Sequence, residues 1–311
     1  MRRIVRRLLW FVIILFVLLN GIAALHAWHF THFDGAITNK TSEKGLSFGQ
    51  KLKLAFTGVR MPRPRNERLP DTSFQTVLLQ NDQRLEAWWI PVAQPKGSVL
   101  LLHGYGGSKE GMIDKARIFR QFGYNTLLLD FRGAGGSSGN QCTIGYKEAA
   151  DTKAAYDFLY ERGERNIYLF GSSMGAAAAM RALAVDSMSV RGAILECPFA
   201  SMLQTVQNRF HMQGAPTFPL AQLLVFWGGT LNGFNAFAHK PEDYAAKVNC
   251  PVLLMWGEQD PKVMRFETAH IFSRLAGPKK LVTFPGAGHE NYLGKYRTEW
   301  MREVANFLNP D

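Results

Sequence analysis

Three short segments of the sequence carry residue types that together could perform nucleophilic catalysis. Gly171–Gly175 (GSSMG) places Ser173 between two glycines, while Gly257–Asp260 (GEQD) and Gly286–His289 (GAGH) end in an acid and a histidine. A serine hydroxyl becomes a nucleophile when a histidine takes its proton and a carboxylate orients that histidine. The chain order serine, acid, histidine is one in which such a triad occurs on a strand-to-helix turn.

Ser173 is the candidate nucleophile, although a second segment, Gly135–Gly139 (GGSSG), fits the same G-x-S-x-G pattern. The Ser173 segment follows an apolar, β-prone run and leads into four alanines, which is typical of a sharp strand-to-helix turn. Positions two before and two after the nucleophile then approach neighbouring backbone and need glycine. After the second segment no helical pattern begins before about Lys147. We therefore interpret Ser137 and Ser172 as structural.

His289 is the candidate general base, and Asp260 is the candidate carboxylate that orients it and stabilises the imidazolium. Each of the two follows an apolar run that predicts a strand. Glu258 is an alternative acid because it lies close to Asp260 in the chain. Asp130 is a further alternative, but it precedes the serine, and we interpret it as a brace for the loop that follows it.

A glycine-rich segment, His103–Gly107 (HGYGG), directly follows the predicted strand 98–103. A turn of this kind leaves backbone N–H groups free to face an anionic oxygen. The N–H groups of Tyr105 and Met174 are the candidate donors of an oxyanion hole. Met174 would also begin the helix after the elbow, whose N-terminus is partly positive.

The elements that must position these residues alternate between strand and helix after an initial pair of strands. Apolar runs predict antiparallel strands at 74–80 and 84–90, and further strands at 98–103, 126–130, 166–170, 193–196, 252–256 and 281–284. Helical patterns lie between many of them, at 109–122, 147–161, 174–185, 266–275 and 296–308. This alternation predicts an α/β fold with a doubly wound, mostly parallel sheet that binds ligands at the carboxyl ends of its strands.

Residues 199–245 interrupt the alternation and are predicted to form a helical lid. From Phe199 to His239 the only formal charge is Arg209, and the segment is rich in aromatic and aliphatic side chains. An aminopeptidase needs carboxylates to bind a substrate ammonium, whereas an acyl chain needs only apolar walls. We therefore expect the lid to bind hydrophobic acyl groups, with Phe226 and Trp227 in the substrate site. The alternative is that these side chains pack on the sheet and line no pocket.

The N-terminal segment is predicted to be a transmembrane anchor. Leu8–Trp28 is a run of 21 residues without a formal charge, which as a helix is long enough to cross a bilayer. Four arginines lie in residues 1–7, and no Lys or Arg follows the run before Lys40. The positive-inside rule then places residues 1–7 in the cytoplasm and the catalytic domain on the other side, periplasmic or luminal. A cleaved signal peptide is the alternative, although its cleavage site would be poor.

A basic juxtamembrane linker, residues 29–70, is predicted to join the anchor to a domain at 71–311. The chain carries a net charge of +11, but Lys40–Arg68 holds eight Lys or Arg against two Glu, and the rest from Leu69 onward is nearly neutral. The charge therefore favours a membrane lipid surface as partner, and not nucleic acid. Within the linker, residues 45–59 predict an amphipathic helix that lies on the membrane or packs on the domain.

The sequence predicts no metal site. The three cysteines are too far apart for a zinc motif, and their odd number does not indicate a disulfide framework: Cys142, Cys197 and Cys250. Three histidines recur every third residue near the end of the anchor, which fits a membrane interface better than a metal site: His26, His29 and His32.

The segments HGYGG, DFRGAGGSSG, GSSMG, GEQD and GAGH together resemble the α/β-hydrolase superfamily, and within it membrane-anchored lysophospholipase-like and serine-aminopeptidase-like branches. The resemblance covers about residues 73–308. It implies that Ser173, Asp260 and His289 form a catalytic triad and that no cofactor is needed. The leading hypothesis is a membrane-anchored serine hydrolase that cleaves esters of lipid-like or hydrophobic acyl substrates. Alternatives are a serine peptidase with the same triad and an inactive binding domain with this fold.

Overall fold

The computed structural model describes residues 2–38 and 47–309. Two helices precede the α/β domain: α1 (Arg2–Thr31) and α2 (Phe48–Thr57). Of the described helices, α1 alone is long and apolar enough to cross a membrane. Ser47 caps α2 through reciprocal hydrogen bonds with Gln50, and residues 45–46 of the predicted helix lie outside the described part of the chain.

The α/β domain is built on one eight-stranded sheet, and all eight predicted strands are confirmed to within two residues at each end. In chain order the strands are β1 (Gln75–Gln80), β2 (Arg84–Ile90), β3 (Ser98–Leu102), β4 (Asn125–Asp130), β5 (Ile167–Ser172), β6 (Gly192–Glu196), β7 (Val252–Gly257) and β8 (Lys279–Phe284). Their order across the sheet is β1-β2-β4-β3-β5-β6-β7-β8. The pairs β1–β2 and β2–β4 are antiparallel, and the other pairs are parallel.

Helices cover both faces of this sheet, as predicted for a doubly wound fold. The described helices after α2 are, in chain order, α3 (Ile113–Gln121), α4 (Glu148–Glu161), α5 (Met174–Val185), α6 (Met202–Met212), α7 (Leu220–Asn232), α8 (Pro241–Ala245), α9 (Arg265–Arg274), α10 (Tyr292–Lys295) and α11 (Arg297–Leu308). The helix predicted at 109–122 begins as a 3₁₀ turn, Lys109–Met112, a common start for an α-helix.

Two apolar clusters, one on each face of the sheet, form the core. In β3, Leu100 and Leu102 belong to the cluster under α4 and α5, whereas Val99 and Leu101 belong to the cluster under α3 and α11. All five residues of β3 are fully buried. Because successive side chains of a strand point to opposite faces, a strand buried on both sides is apolar throughout. The apolar runs in the sequence have this origin.

The lid consists of α6 and α7, and α7 packs against the last third of α1. Ala23 and Ala27 of α1 are buried there, and the indole N–H of Trp227 donates to Asn20 Oδ1 at 3.0 Å. α2 also contacts α1, because His26 Nε2 lies 3.0 Å from the carbonyl oxygen of Ala55. The lid is therefore joined to the predicted anchor as well as to the sheet.

Several residues of the segment 29–70 lie against the α/β domain, so the segment is more than a spacer. The N–H of Phe33 donates to the Asn140 carbonyl at 2.7 Å, and Asn66 donates to Asp130 at 2.8 Å. The Arg63 guanidinium donates to carbonyl oxygens of the glycine-rich loop Gly135–Gly139. Arg63 belongs to a proline- and arginine-rich run, residues 61–66. Carbonyl oxygens of the glycine-rich loop are acceptors for its guanidinium, so this run is attached to the domain.

Candidate active site

Ser173 lies on a sharp turn between β5 and α5, with φ 52° and ψ −109°. This conformation is unfavourable for a residue with a side chain, and it is typical of a functional position. The two flanking glycines are required by space. A Cβ on Gly171 would lie 2.6 Å from the backbone nitrogen of Ala176, and one on Gly175 would lie 2.2 Å from the carbonyl oxygen of Leu102.

The three residues expected to act together are brought together at the carboxyl ends of three strands. Ser173 follows β5, Asp260 follows β7 and His289 follows β8. His289 Nε2 lies 3.1 Å from Ser173 Oγ, and His289 Nδ1 lies 2.7 Å from Asp260 Oδ2. Both distances are within hydrogen-bonding range. The arrangement can pass a proton from the serine to the histidine while the aspartate holds the ring.

Asp260 is fixed in place by its own hydrogen bonds. Its side chain is fully buried, and its second oxygen, Oδ1, accepts from the backbone N–H groups of Lys262 at 2.7 Å and Val263 at 3.0 Å. The turn that contains Pro261 supplies these donors, so the local sequence both places and satisfies the carboxylate. Oδ2 is directed at His289.

Cys197 is a neighbour of the candidate triad that the sequence analysis missed. It follows β6, the strand between β5 and β7, and its Sγ, one carboxylate oxygen of Asp260 and one ring nitrogen of His289 lie within 4.8 Å of one another. These atoms could contact one metal ion, but coordination through His289 would compete with its hydrogen bonds in the triad. Burial opposes protonation of His289, but Cys197 and Asp260 raise the pKa of the imidazole to about 9.

Tyr105 and Met174, the candidate oxyanion-hole residues, lie on the loop after β3 and at the first position of α5. Within the described residues, neither backbone N–H donates a hydrogen bond to another protein group. The Tyr105 ring stacks on Phe30 of α1 at 4.6 Å between centroids, and its hydroxyl donates to the Phe30 carbonyl at 2.7 Å. The end of α1 thereby supports the candidate oxyanion loop.

The alternative residues have other roles. Glu258 accepts from the Thr283 hydroxyl at 2.7 Å, and neither oxygen is bonded to His289. Asp130 accepts from the N–H groups of Lys109 at 2.7 Å and Gly136 at 2.9 Å, and it pairs with the Lys109 ammonium. It therefore braces the glycine-rich loop, whereas the neighbouring Arg132 pairs with Asp151 and Asp82 instead. Ser137 donates to the Asp130 carbonyl at 2.6 Å, in keeping with a structural role.

A cavity of about 270 Å³ lies between the end of α1, α6 and α7. Its lining is mainly apolar and comprises His26, Ala27, Phe30, Thr31, Val59, Met61, Thr143, Ile144, Met202, Val206, Arg209, Phe210, Gln213, Leu224, Val225, Gly228, Phe234 and Ala236. Phe30, which stacks on Tyr105, belongs to this lining, so the cavity adjoins the loop that carries Tyr105, although neither Tyr105 nor Ser173 lines it.

Phe226 and Trp227 were expected in the substrate site, but neither lines this cavity. Phe226 is 49% exposed, and the Trp227 indole is hydrogen bonded to Asn20 of α1. The reason is the helical period of α7. Leu224, Val225 and Gly228 lie on the face toward the cavity, and residues 226 and 227 lie farther round the helix. Composition showed that the lid is apolar, but not which face covers the cavity.

Comparisons with known proteins agree with this architecture. A family model described as serine aminopeptidase, S33, matches residues 93–227. A membrane protein of Saccharomyces cerevisiae is 30% identical over 228 residues, which cover 70% of this chain and 73% of that protein. The lysophosphatidylserine lipase ABHD12 of Macaca fascicularis is 24% identical over 209 residues, 65% of this chain and 51% of that protein.

The fold also has solved counterparts. An esterase of Pyrococcus furiosus, Pf2001, superposes with a TM-score of 0.67 over 80% of this chain and 96% of its own, at 23% identity. At that identity the likeness concerns the fold. Taken with the strand order, the elbow at Ser173 and the sequence relatives, it shows that the chain belongs to the α/β-hydrolase superfamily of serine hydrolases, as an enzyme of the esterase- and lipase-like kind.

Proposed function

We propose that the enzyme is a membrane-anchored carboxylic ester hydrolase that acts on hydrophobic acyl substrates with Ser173 as its nucleophile. The observation that carries the proposal is the hydrogen-bonded chain Ser173–His289–Asp260 on a strained elbow, with distances of 3.1 Å and 2.7 Å. This chain supplies a nucleophile, a general base and an orienting carboxylate in one place.

The reaction proceeds in two halves. His289 Nε2 takes the proton of Ser173 Oγ as this oxygen bonds to the ester carbonyl carbon, and the N–H groups of Tyr105 and Met174 stabilise the resulting oxyanion. The intermediate collapses, His289 protonates the leaving alcohol, and an acyl group remains on Ser173. Water then attacks the acyl carbon as His289 takes its proton, and the acid leaves when the proton returns to Ser173.

The apolar lining of the cavity favours a substrate whose acyl group is hydrophobic and binds there. Apart from Arg209, the residues that line it carry no Lys, Arg, Asp or Glu. Apolar walls of this kind favour burial of methylene groups by about 0.8 kcal/mol each. Two relatives point the same way in their names, since one is a lysophosphatidylserine lipase and another, from Psychrobacter immobilis, is Lipase 1.

A series of esters that differ only in acyl chain length tests this substrate class. We expect kcat/KM to rise by up to about fourfold per added methylene until the cavity is filled. A Cβ on Gly228 would meet no atom within 4 Å, so Gly228→Leu should occupy part of the cavity and move the optimum to shorter chains. Gly111→Leu is a matched control, because Gly111 also has open space around it but lies outside the cavity. A flat series, or faster cleavage of aminoacyl amides, would favour the peptidase alternative.

We also infer that α1 is retained as a single-pass anchor, with the N-terminus cytoplasmic and the catalytic domain on the other side. Cleavage near residue 24 or 28 would remove Asn20, the hydrogen-bond partner of Trp227, together with Ala23 at the contact with α7. It would also remove or expose part of the cavity wall. Residues 4–18 of α1 expose many large apolar side chains, as expected of a helix surrounded by lipid. The similarity to a yeast membrane protein supports the same inference.

The topology can be measured in sealed cells with a thiol reagent that does not cross membranes. Ser187 is exposed on the catalytic domain, and Arg3 lies in the basic tip. Ser187→Cys should be labelled in intact cells, and Arg3→Cys only after lysis. The reverse pattern would place the domain in the cytoplasm. Sequencing of the mature N-terminus completes the test, since a chain that begins near residue 24 or 28 would show cleavage.

A further inference from the structure

The cavity between α1, α6 and α7 contains a single formally charged side chain, that of Arg209. Arg209 lies on α6, in a lid segment that otherwise carries no Asp, Glu, Lys or Arg from Phe199 to His239. It is one of two basic residues in the last turn of this helix, where a cation is favourable. A role in stabilising α6 would not require that the side chain line a cavity.

Arg209 has no carboxylate partner in the described part of the chain. Its Nη1 donates at 2.9 Å to the carbonyl oxygen of Thr205, one turn earlier in the same helix, and its guanidinium forms no ion pair there. Arg209 is half-buried, and three fully buried cations of this protein behave differently. Each of them is paired with a buried carboxylate: Lys109 with Asp130, Lys115 with Glu196, and Arg132 with Asp151.

An arginine in this position retains both its charge and most of its hydrogen-bonding capacity. Burial lowers the pKa of Arg209, while the carboxylates of Asp260 and Glu267 act in the opposite direction. A guanidinium nevertheless stays protonated in proteins, and it offers five N–H donors in a planar fork that matches a carboxylate or a phosphate. The Thr205 carbonyl accepts from Nη1 alone, so the remaining N–H donors of Arg209 are available to an anion that enters the cavity.

Contacts of helix α6 relate Arg209 to the reacting centre. The preceding residue, Asn208, donates to the carbonyl oxygen of Lys262 at 3.0 Å, and the N–H of Lys262 donates to Asp260 Oδ1 at 2.7 Å. This turn of α6 therefore adjoins the loop that carries Asp260, and an anion bound by the Arg209 guanidinium would lie beside that loop. Apolar walls and one cation beside a nucleophile are the features expected of a site for an amphiphile that carries both an acyl chain and an anionic group.

We propose that Arg209 binds an anionic oxygen group of the substrate or of the released product. This inference rests on the proposed ester hydrolase function. The group is a phosphate on the alcohol side of the ester or the carboxylate of the released acid. Both present oxygen pairs that a guanidinium can bind through two hydrogen bonds.

Matched probes can distinguish the two sources. We would measure kcat/KM of the full-length protein for octanoylglycerol and octanoylglycerol phosphate, which differ only in the phosphate, and inhibition by octanoate. The wild type should prefer the phosphate ester by about tenfold or more if the head group is bound. Arg209→Gln should abolish this preference, and Arg209→Lys should retain part of it. If the acid product is bound instead, the preference is absent and Arg209→Gln weakens inhibition by octanoate.

A control variant separates a specific effect from loss of charge or stability. Arg274 on α9 is partly exposed and pairs with Asp243 outside the cavity, so Arg274→Gln should leave both the substrate ratio and the octanoate inhibition as in the wild type. Fluorophosphonate labelling of Ser173 would verify that each variant keeps its site. Unchanged ratio and unchanged inhibition in a labelled Arg209→Gln protein would overturn the inference. Failure of the wild type to cleave either ester would instead contradict the proposed function.

Discussion

Replacement of Ser173 by alanine is expected to lower kcat by about 10⁴-fold or more and to leave the fold intact. Ser173 Oγ lies 3.1 Å from His289 Nε2, and alanine removes this oxygen. The variant then has no side-chain nucleophile beside the histidine. Alanine places the same Cβ on the same turn, so the strained φ of 52° costs the variant no more than the wild type. Steady-state hydrolysis and labelling with a fluorophosphonate measure the two consequences.

Ser172 provides the matched control for this prediction. It is adjacent to Ser173 in the chain, but the hydroxyl bonded to His289 Nε2 is that of Ser173. Ser172→Ala should label and turn over at close to the wild-type rate. Circular dichroism and the melting temperature would establish that Ser173→Ala is folded. If a folded Ser173→Ala protein still reacts with the fluorophosphonate and cleaves ester, the nucleophile is another residue.

Replacement of Asp260 by asparagine should lower kcat by about 10³- to 10⁴-fold near neutral pH. The carboxylate accepts the Nδ1 proton of His289 at 2.7 Å, which keeps Nε2 free to take the proton of Ser173. An asparagine amide can donate to Nδ1 and so favour the wrong tautomer. Its oxygen can still accept from the N–H groups of Lys262 and Val263, so the turn should remain folded.

The pH profile distinguishes this role from simple loss of structure. His289 must be neutral to act as a base, so kcat/KM should increase as the pH rises through the pKa of His289, which its neighbours raise to about 9. Asp260 contributes to that increase in pKa, and Asp260→Asn should therefore move the acidic limb of the residual activity to lower pH. Glu258→Gln is the control and should change neither the rate nor the limb. Near-wild-type turnover in folded Asp260→Asn would transfer the role to another acid.

The topology of the protein explains why so much of the fold could be predicted. Strands such as β3 are buried on both faces, and burial requires apolar residues whatever the neighbouring elements are. The elbow was recognisable because neighbouring backbone comes so close to Gly171 and Gly175 that only glycine fits there. The acid and the histidine followed from the chain order that this architecture imposes. These features depend on local backbone geometry and burial, and both restrict which residue types can occupy a position.

Contacts between elements distant in the chain could not be predicted in this way. Cys197 lies beside His289 because β6 is inserted between β5 and β7, and nothing in the residues around it indicates that neighbour. The carbonyl of Phe30, which accepts from the Tyr105 hydroxyl, belongs to a segment that the sequence indicated only as a juxtamembrane linker.

The sequence by itself determined the α/β class, the strands, the candidate triad and the apolar character of the lid, since each depends on residue type and short-range period. Only the tertiary structure decided which face of α7 covers the cavity, that the end of α1 forms part of its wall, and that Arg209 lies within it without a carboxylate partner among the described residues. Burial of a helix face and pairing of a charge are properties of two surfaces in contact, and a single chain segment specifies only one of them.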